Sequence, residues 1–235
     1  MGSILVFLTA LLVVAIWWLS RQGVMAKPWL EQGVAADFPV PDNLSSAAAR
    51  TGLAVFLAVV GSLFALFLSA YALRMQLPDW RDVPLPGILW LNTGMLALSS
   101  VALQGARKAA RDGEDDALKL GLLAAGVTAL AFLSGQLLAW RQLTAEGYFL
   151  ASNSANAFFY VLTGLHGLHL LGGLIALART IVKAWRGGTT PEGLRLSVGL
   201  CATYWHFMLF VWLVLLSVLA GWAADVIDIC RQILS

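Results

Sequence analysis

The chain has 235 residues, of which 60% are hydrophobic and 12% charged, and its 15 basic and 13 acidic side chains give a formal net charge of +2. A soluble domain carries about 25% charged residues, so most of this surface does not face water, and the mean hydropathy of +0.80 agrees. Sparse, balanced charge offers no basic stripe for a phosphate backbone, which excludes nucleic acid as a partner. The two cysteines, Cys201 and Cys230, match neither a metal-ligand spacing nor a disulfide framework. The composition therefore indicates a polytopic membrane protein.

Six stretches are long and apolar enough to cross a hydrocarbon core about 30 Å thick, which takes roughly 20 helical residues. They lack the two-residue alternation of a membrane β-barrel. The sequence therefore predicts an all-α polytopic transmembrane bundle of six helices. In chain order the predicted spans are about Ser3–Leu19, Thr51–Leu73, Pro86–Ala106, Leu118–Trp140, Asn156–Ala178 and Ser197–Trp222.

The first span is short, but no basic segment precedes it, so we expect a retained transmembrane helix over residues 1–20 and not a cleaved signal peptide. Residues 21–50 contain three prolines and predict a cytoplasmic linker, which leaves residues 51–235 as a five-helix domain. The charged run from Arg107 to Asp116 predicts a solvent-exposed loop.

Basic residues are distributed unevenly over the connections between the spans. The connections after spans one, three and five contain eleven Lys and Arg residues. The segments on the opposite side of the membrane contain four. Because basic loops stay in the cytoplasm, this bias predicts that both termini lie on the outer, periplasmic side of a bacterial inner membrane.

All three histidines lie in spans five and six, and no Asp, Glu, Lys or Arg lies far from the end of a span. His166 and His169 share a helix face, and His206 on the next span could approach them, which leaves a metal or haem site as one interpretation. The other interpretation is packing between close helices or contact with lipid headgroups. A transporter would need a polar path or an ionisable group near the midplane, and the spans contain neither.

Other polar side chains in the spans predict hydrogen bonds between helices. They are Asn92, Thr93, Ser99, Ser100, Ser134, Gln136 and Thr163. Several of the ten tryptophans, including Trp90 and Trp140, lie near predicted span ends, where indole rings favour the headgroup level.

Longer motifs then indicate a family. The segment FFYVLTGLHGLHLLGG at 158–173, followed by YWHF at 204–207 and Val211-Trp212, resembles the last two helices of subunit III of haem–copper terminal oxidases. The segment PLPGILWLNTGMLALSS at 84–100 and Gly135-Gln136 with Trp140 resemble the helices before them. The resemblance covers about residues 51–222. Over this range the chain resembles the short bacterial members of the family, which have five helices and a C-terminus on the outer side of the membrane.

The resemblance implies a non-catalytic subunit that packs beside the catalytic subunit I, binds phospholipid in a cleft and supports proton uptake. It implies no cofactor in this chain, with haem and copper in partner subunits and structural phospholipid bound. The residues that it assigns to lipid contact or interhelical packing are Trp90, Asn92, Gln136, Trp140, His166, His169, Tyr204, Trp205 and His206.

The chain departs from the family pattern in three places. Val59-Val60 align with a Ser-Glu pair, Ala139 with an acidic residue, and Leu209 with an aspartate. Many family members carry a buried carboxylate in the Ser-Glu pair, and this chain has none at that position. The resemblance therefore implies a divergent branch of the family. An accessory protein of a nitric oxide reductase shares the fold and remains an alternative, as do an independent transporter and a membrane cytochrome with histidine-ligated haem.

Overall fold

The computed structural model describes residues 42–186 and 190–221, and within these residues the backbone forms five α-helices and no strand. They are α1 (Asp42–Arg74), α2 (Ile88–Asp112), α3 (Asp115–Ala145), α4 (Ser154–Arg186) and α5 (Pro191–Leu219). All five are long and apolar enough to cross a membrane. The all-α prediction and five of its six spans are confirmed, whereas residues 1–20 and most of the predicted linker lie outside the described residues.

The helices are longer than the apolar stretches that predicted them. Helix α1 begins at Asp42, so residues 42–50, the end of the predicted linker, are helical. A run of apolar residues marks only the part of a helix inside the hydrocarbon, and the backbone hydrogen bonds continue into the headgroup region. The linker prediction therefore extended too far towards α1.

The charged run between α2 and α3 is a tight turn. Only Gly113 and Glu114 separate the two helices, so the predicted loop over 107–116 was wrong, although residues 111–116 are exposed as expected. Gly113 has a φ of 79°, and its N–H donates to the carbonyl of Ala109. Glycine adopts this left-handed conformation without steric cost, which lets α3 turn back directly along α2.

Helices α2 to α5 form a closed ring in which α2 packs on α3, α3 on α4, α4 on α5 and α5 on α2. Its core consists of large, fully buried side chains, among them Leu96, Leu103, Phe132, Trp205 and Trp212. Helix α1 lies outside the ring against α4 and α5, along a seam that includes Val60, Phe64, Tyr71, Leu162, Val211 and Leu215. The four-helix ring positions the histidines, and Phe64 of α1 contacts the side chains of His166 and His169.

The outside of the bundle is apolar. Side chains such as Leu66, Val101 and Leu120 are between 68% and 69% exposed, although water would make such exposure costly. Lipid tails solvate these side chains without that cost. The protein is therefore a multi-pass membrane protein.

We call the end of the bundle where α1, α3 and α5 begin the basic end, because Arg50, Arg107, Arg111 and Arg195 lie there. At the opposite end, the guanidinium of Arg74 pairs with Asp79 and donates from Nη1 to Oδ1 at 2.8 Å. This hydrogen bond holds the pKa of the exposed Asp79 carboxyl below its usual range. Asn153 donates from Nδ2 to the carbonyl of Arg81 at 2.6 Å, which joins two connections at this end.

Candidate functional site

An apolar groove opens between α1, α4 and α5. Its volume is about 430 Å³. Three of the expected site residues, His169, Tyr204 and Trp205, line it. The other lining residues are Leu53, Phe56, Leu168, Gly172, Gly173, Ala176, Leu200 and Cys201. Because almost all of these side chains are apolar, the groove matches the chemistry of a hydrocarbon chain.

The wall of the groove depends on a close approach of α4 to α5 at Gly173. A Cβ atom at this position would lie 2.5 Å from Cε1 of Tyr204 and 2.9 Å from Cζ3 of Trp205, so only glycine fits. The hydroxyl of Tyr204 donates to the carbonyl of His169 at 2.7 Å, which fixes the ring. Small residues allow such contacts between membrane helices.

His166 is fully buried in the ring of helices and does not reach the groove wall. Its ring centroid lies 5.1 Å from that of Trp212, 5.8 Å from Phe132 and 6.3 Å from Phe64. Neither ring nitrogen has a hydrogen-bond partner among the described residues. The aromatic surroundings indicate that the imidazole acts here as a packed ring.

The structure does not bring the three histidines together. Nδ1 of His169 lies 2.8 Å from the carbonyl oxygen of Leu165, and Nδ1 of His206 lies 3.2 Å from Oγ of Ser100 on α2. Within the described ranges, no three His, Cys, Asp or Glu side chains are arranged to hold a metal ion. The metal interpretation, which required His206 to approach the pair on α4, has no support in this geometry.

Asn92 and Gln136 lie on facing sides of α2 and α3 and are both buried. The amide of Asn92 packs on Gly135, where any side chain would overlap it. Nδ2 of Asn92 and both amide atoms of Gln136 have no partner among the residues described. We expected these two side chains to bond between helices, and the structure shows packing instead.

Four other polar residues do bond across helices as expected. Ser99 donates to the carbonyl of Ala125 at 2.8 Å, Thr93 accepts from Trp212 at 2.9 Å, and Ser100 pairs with His206. Thr163 accepts from Nε1 of Trp140 at 3.1 Å. Ser134 is the exception, because it is exposed and donates to the carbonyl of Leu130 in its own helix.

The remaining expected residues divide between core and surface. Trp205 is fully buried and its Nε1 has no partner within the described part of the chain, whereas Trp90 is 53% exposed on α2. His206 is also exposed. Their roles in lipid contact remain predictions.

Sequence reasoning omitted Trp212 from the site, although it links His166 and Thr93. Its spacing of seven residues from Trp205 was the available signal, because positions i and i+7 share a helix face. Phe64 and Phe132 were also missed. Nothing in their local sequence marks them, since each contacts His166 from a different helix.

Comparison with known proteins identifies the same family that the sequence motifs indicated. The family model for cytochrome c oxidase subunit III matches residues 48–224. The probable cytochrome c oxidase subunit 3 of Mycobacterium tuberculosis is 31% identical over 180 residues, which cover 75% of this chain and 87% of the relative.

Two further relatives are each named cytochrome c oxidase subunit 3. That of Synechocystis is 28% identical over 172 residues, covering 70% of this chain and 71% of the relative. That of Thermostichus vulcanus is 29% identical over 173 residues, covering 72% and 84%. The family match spans most of α1 and all of α2 to α5. The chain therefore belongs to the cytochrome c oxidase subunit III family.

Proposed function

We propose that this protein is the non-catalytic membrane subunit III of a respiratory haem–copper oxidase, packed beside the catalytic subunit I. The observation that carries the proposal is the family match over most of α1 and all of α2 to α5. The interior agrees with it, because the buried side chains of the described residues include His166 but no Asp, Glu, Lys or Arg. Haem and copper would lie in partner subunits, and this chain would stabilise the catalytic subunit and support its proton uptake.

The relatives reported above are named as oxidase subunits, which favours an oxidase over the nitric oxide reductase alternative. The uncharged interior disfavours an independent transporter, which needs buried polar equipment for its substrate or coupling ion. The excess of basic residues at the basic end supports a cytoplasmic location for that end, in a bacterial inner membrane, with both termini outside.

We further propose that the groove between α1, α4 and α5 holds an acyl chain of a structural phospholipid. Its apolar lining and its volume of about 430 Å³ support this assignment. Tyr204 and Trp205 form one wall, and their contact with Gly173 makes that wall rigid.

The subunit assignment is tested by purifying the tagged chain in mild detergent from its native membrane. We expect a large haem-containing polypeptide to copurify, together with oxygen-consuming activity and an optical spectrum of haem. When the tagged chain is dissociated from the complex, the fraction that contains the tagged chain should no longer show the haem spectrum. Isolation of this chain alone with stoichiometric haem, or solute transport by the chain in liposomes, would contradict the assignment.

The lipid assignment is tested with a substitution that fills the groove. Gly172 lines the groove, and a Cβ added there meets nothing within 4 Å, so Gly172→Leu introduces a bulky side chain at the acyl position. Gly94 is exposed on α2, has equally open space and does not line the groove, so Gly94→Leu is a matched control. Native mass spectrometry should show one fewer retained phospholipid in the first variant only. Equal lipid retention in both variants would remove the groove from the proposal.

A further inference from the structure

The outer surface of α5 carries a histidine near the middle of the membrane. His206 lies close to the centre of the helix, which runs from Pro191 to Leu219, so it is about 20 Å from either helix end. Its side chain is exposed on the surface of the bundle. An ionisable side chain at this depth is costly in lipid, which makes the position a candidate for function.

The imidazole of His206 has one hydrogen-bond partner among the described residues. Its Nδ1 lies 3.2 Å from Oγ of Ser100 on α2. Ser100 is buried, and the described part of the chain offers its hydroxyl proton no other acceptor. Because a buried hydroxyl donates where an acceptor is within reach, Ser100 donates to Nδ1. In the neutral ring the proton then lies on Nε2, which is a donor.

Other polar side chains within the membrane form hydrogen bonds inside their own helix. Ser134 and Thr203 are exposed, and each donates to a carbonyl of the preceding turn. Nδ1 of His169 likewise lies 2.8 Å from a carbonyl oxygen of its own helix. His206 differs because its Nδ1 bonds the buried Ser100 on a neighbouring helix. The Nε2 edge of the exposed ring is therefore left for a group outside the described bundle.

A lipid tail cannot supply the acceptor that Nε2 needs. The hydrocarbon core is about 30 Å thick, so the oxygen atoms of the headgroups lie about 15 Å from the midplane. Between them the bilayer itself has no hydrogen-bonding group. Polar side chains of neighbouring membrane helices do form hydrogen bonds at this depth. The chemistry therefore favours a protein partner at His206.

The surface around His206 is open to a helix. Thr203, His206, Phe210 and Leu213 are spaced by three and four residues, so they form one stripe, which we call the α5 face. All four are exposed, Phe210 by 63% and Leu213 by 48%. Helices α1 and α2 both pack on α5 but do not contact each other within the described ranges. The α5 face is therefore left uncovered between them.

We propose that the α5 face docks a transmembrane helix of the catalytic subunit, and that a polar side chain of that helix accepts a hydrogen bond from Nε2 of His206. Phe210 and Leu213 supply apolar contact area beside this bond. The identity of the partner rests on the proposed subunit assignment, whereas the place and the chemistry of the contact rest on the α5 face.

The test lets two forms of the full chain compete for the oxidase. Parent and variant chains carry different tags and are coexpressed, and their ratio in the purified oxidase is divided by their ratio in the membrane, which corrects for expression and folding. His206→Leu should lower this value about threefold to fifteenfold, as expected for one hydrogen bond between membrane helices. His206→Gln keeps an N–H donor and should stay within about twofold of the parent.

Ser134→Leu is the matched control. Ser134 is an exposed polar side chain within α3, and α3 does not contact α5 in the part of the chain that the structure describes. Its incorporation should equal that of the parent. Equal losses in Ser134→Leu and His206→Leu would overturn the proposal, because the loss would then not depend on the α5 face. Unchanged incorporation of His206→Leu would overturn it as well, as would a loss in His206→Gln equal to that in His206→Leu.

A photocrosslink identifies what lies on the α5 face. A benzophenone amino acid in place of Phe210 should link to a peptide of the catalytic subunit. The same amino acid in place of Leu130, which is 55% exposed on α3, should not link to that subunit. Crosslinks from position 210 to lipid alone, or to another part of this chain, would overturn the proposal. The subunit assignment fails separately, because no oxidase would then copurify with the parent chain.

Discussion

Replacing Gly173 by alanine tests whether the α4–α5 contact shapes the groove. The new Cβ would lie 2.5 Å from Cε1 of Tyr204, closer than side chains tolerate. The ring cannot swing away at low cost, because its hydroxyl bonds the carbonyl of His169 and Trp205 behind it is fully buried. The two helices must therefore separate, or the hydrogen bond must break.

The expected loss follows from two opposing effects. Overpacking a well-packed interior costs about 1–3 kcal/mol, whereas alanine is a better helix former than glycine by about 1 kcal/mol. Gly172 is its neighbour in the same helix and has open space, so Gly172→Ala gains the helix propensity without the overlap. The difference between the two variants isolates the overlap. At about 2 kcal/mol, that difference corresponds to a gap of about 4–8 °C in the unfolding midpoint for a chain of this length.

The assay uses Cys201, which is buried and free, as a reporter of unfolding in a Cys230→Ser background. A thiol-reactive dye becomes fluorescent when heat exposes the side chain. Gly172→Ala should unfold at or above the temperature of the parent protein, and Gly173→Ala several degrees below it. Indistinguishable midpoints for the two alanine variants would refute the reasoning, because the α4–α5 contact would then not be tight at Gly173.

Three further predictions address single interactions. Tyr204→Phe removes the hydroxyl bond to His169 but keeps the ring, so the unfolding free energy should fall by only about 0.6 kcal/mol, and a loss as large as that of Gly173→Ala would contradict this. His166→Leu replaces an imidazole that has no partner among the described residues by an apolar side chain of similar volume. The same dye assay should place its unfolding free energy within about 1.5 kcal/mol of the parent, and a larger loss would show that the ring nitrogens bind a group. The pair of Asp79 with Arg74 should persist through mildly acidic pH, because the carboxyl has a lowered pKa, and should weaken as pH falls through that value. Limited proteolysis of the α1–α2 connection should show this pH dependence in the parent and not in Asp79→Asn.

The spans could be predicted because crossing a bilayer is a local requirement. About 20 apolar residues suffice, and no knowledge of neighbouring helices is needed. The motifs around His166 and Tyr204 then indicated the family, because the motifs and their order can be read directly from the amino-acid sequence. The charged run from Arg107 marks the limit of this reasoning, because charge alone does not reveal whether a segment near the surface is a loop or the end of a helix.

The sequence alone did not predict how the helices pack side by side. His166, His169 and His206 look alike in a list of membrane histidines, yet one is enclosed by aromatic rings, one borders the groove and one is exposed on α5. Which face of a helix meets which neighbour depends on side-chain shapes from segments far apart in the chain, and large apolar side chains lie on both the buried and the exposed faces of these helices. Hydropathy therefore predicted the five spans that the structure describes, whereas only tertiary contacts decided which of these helices enclose the groove.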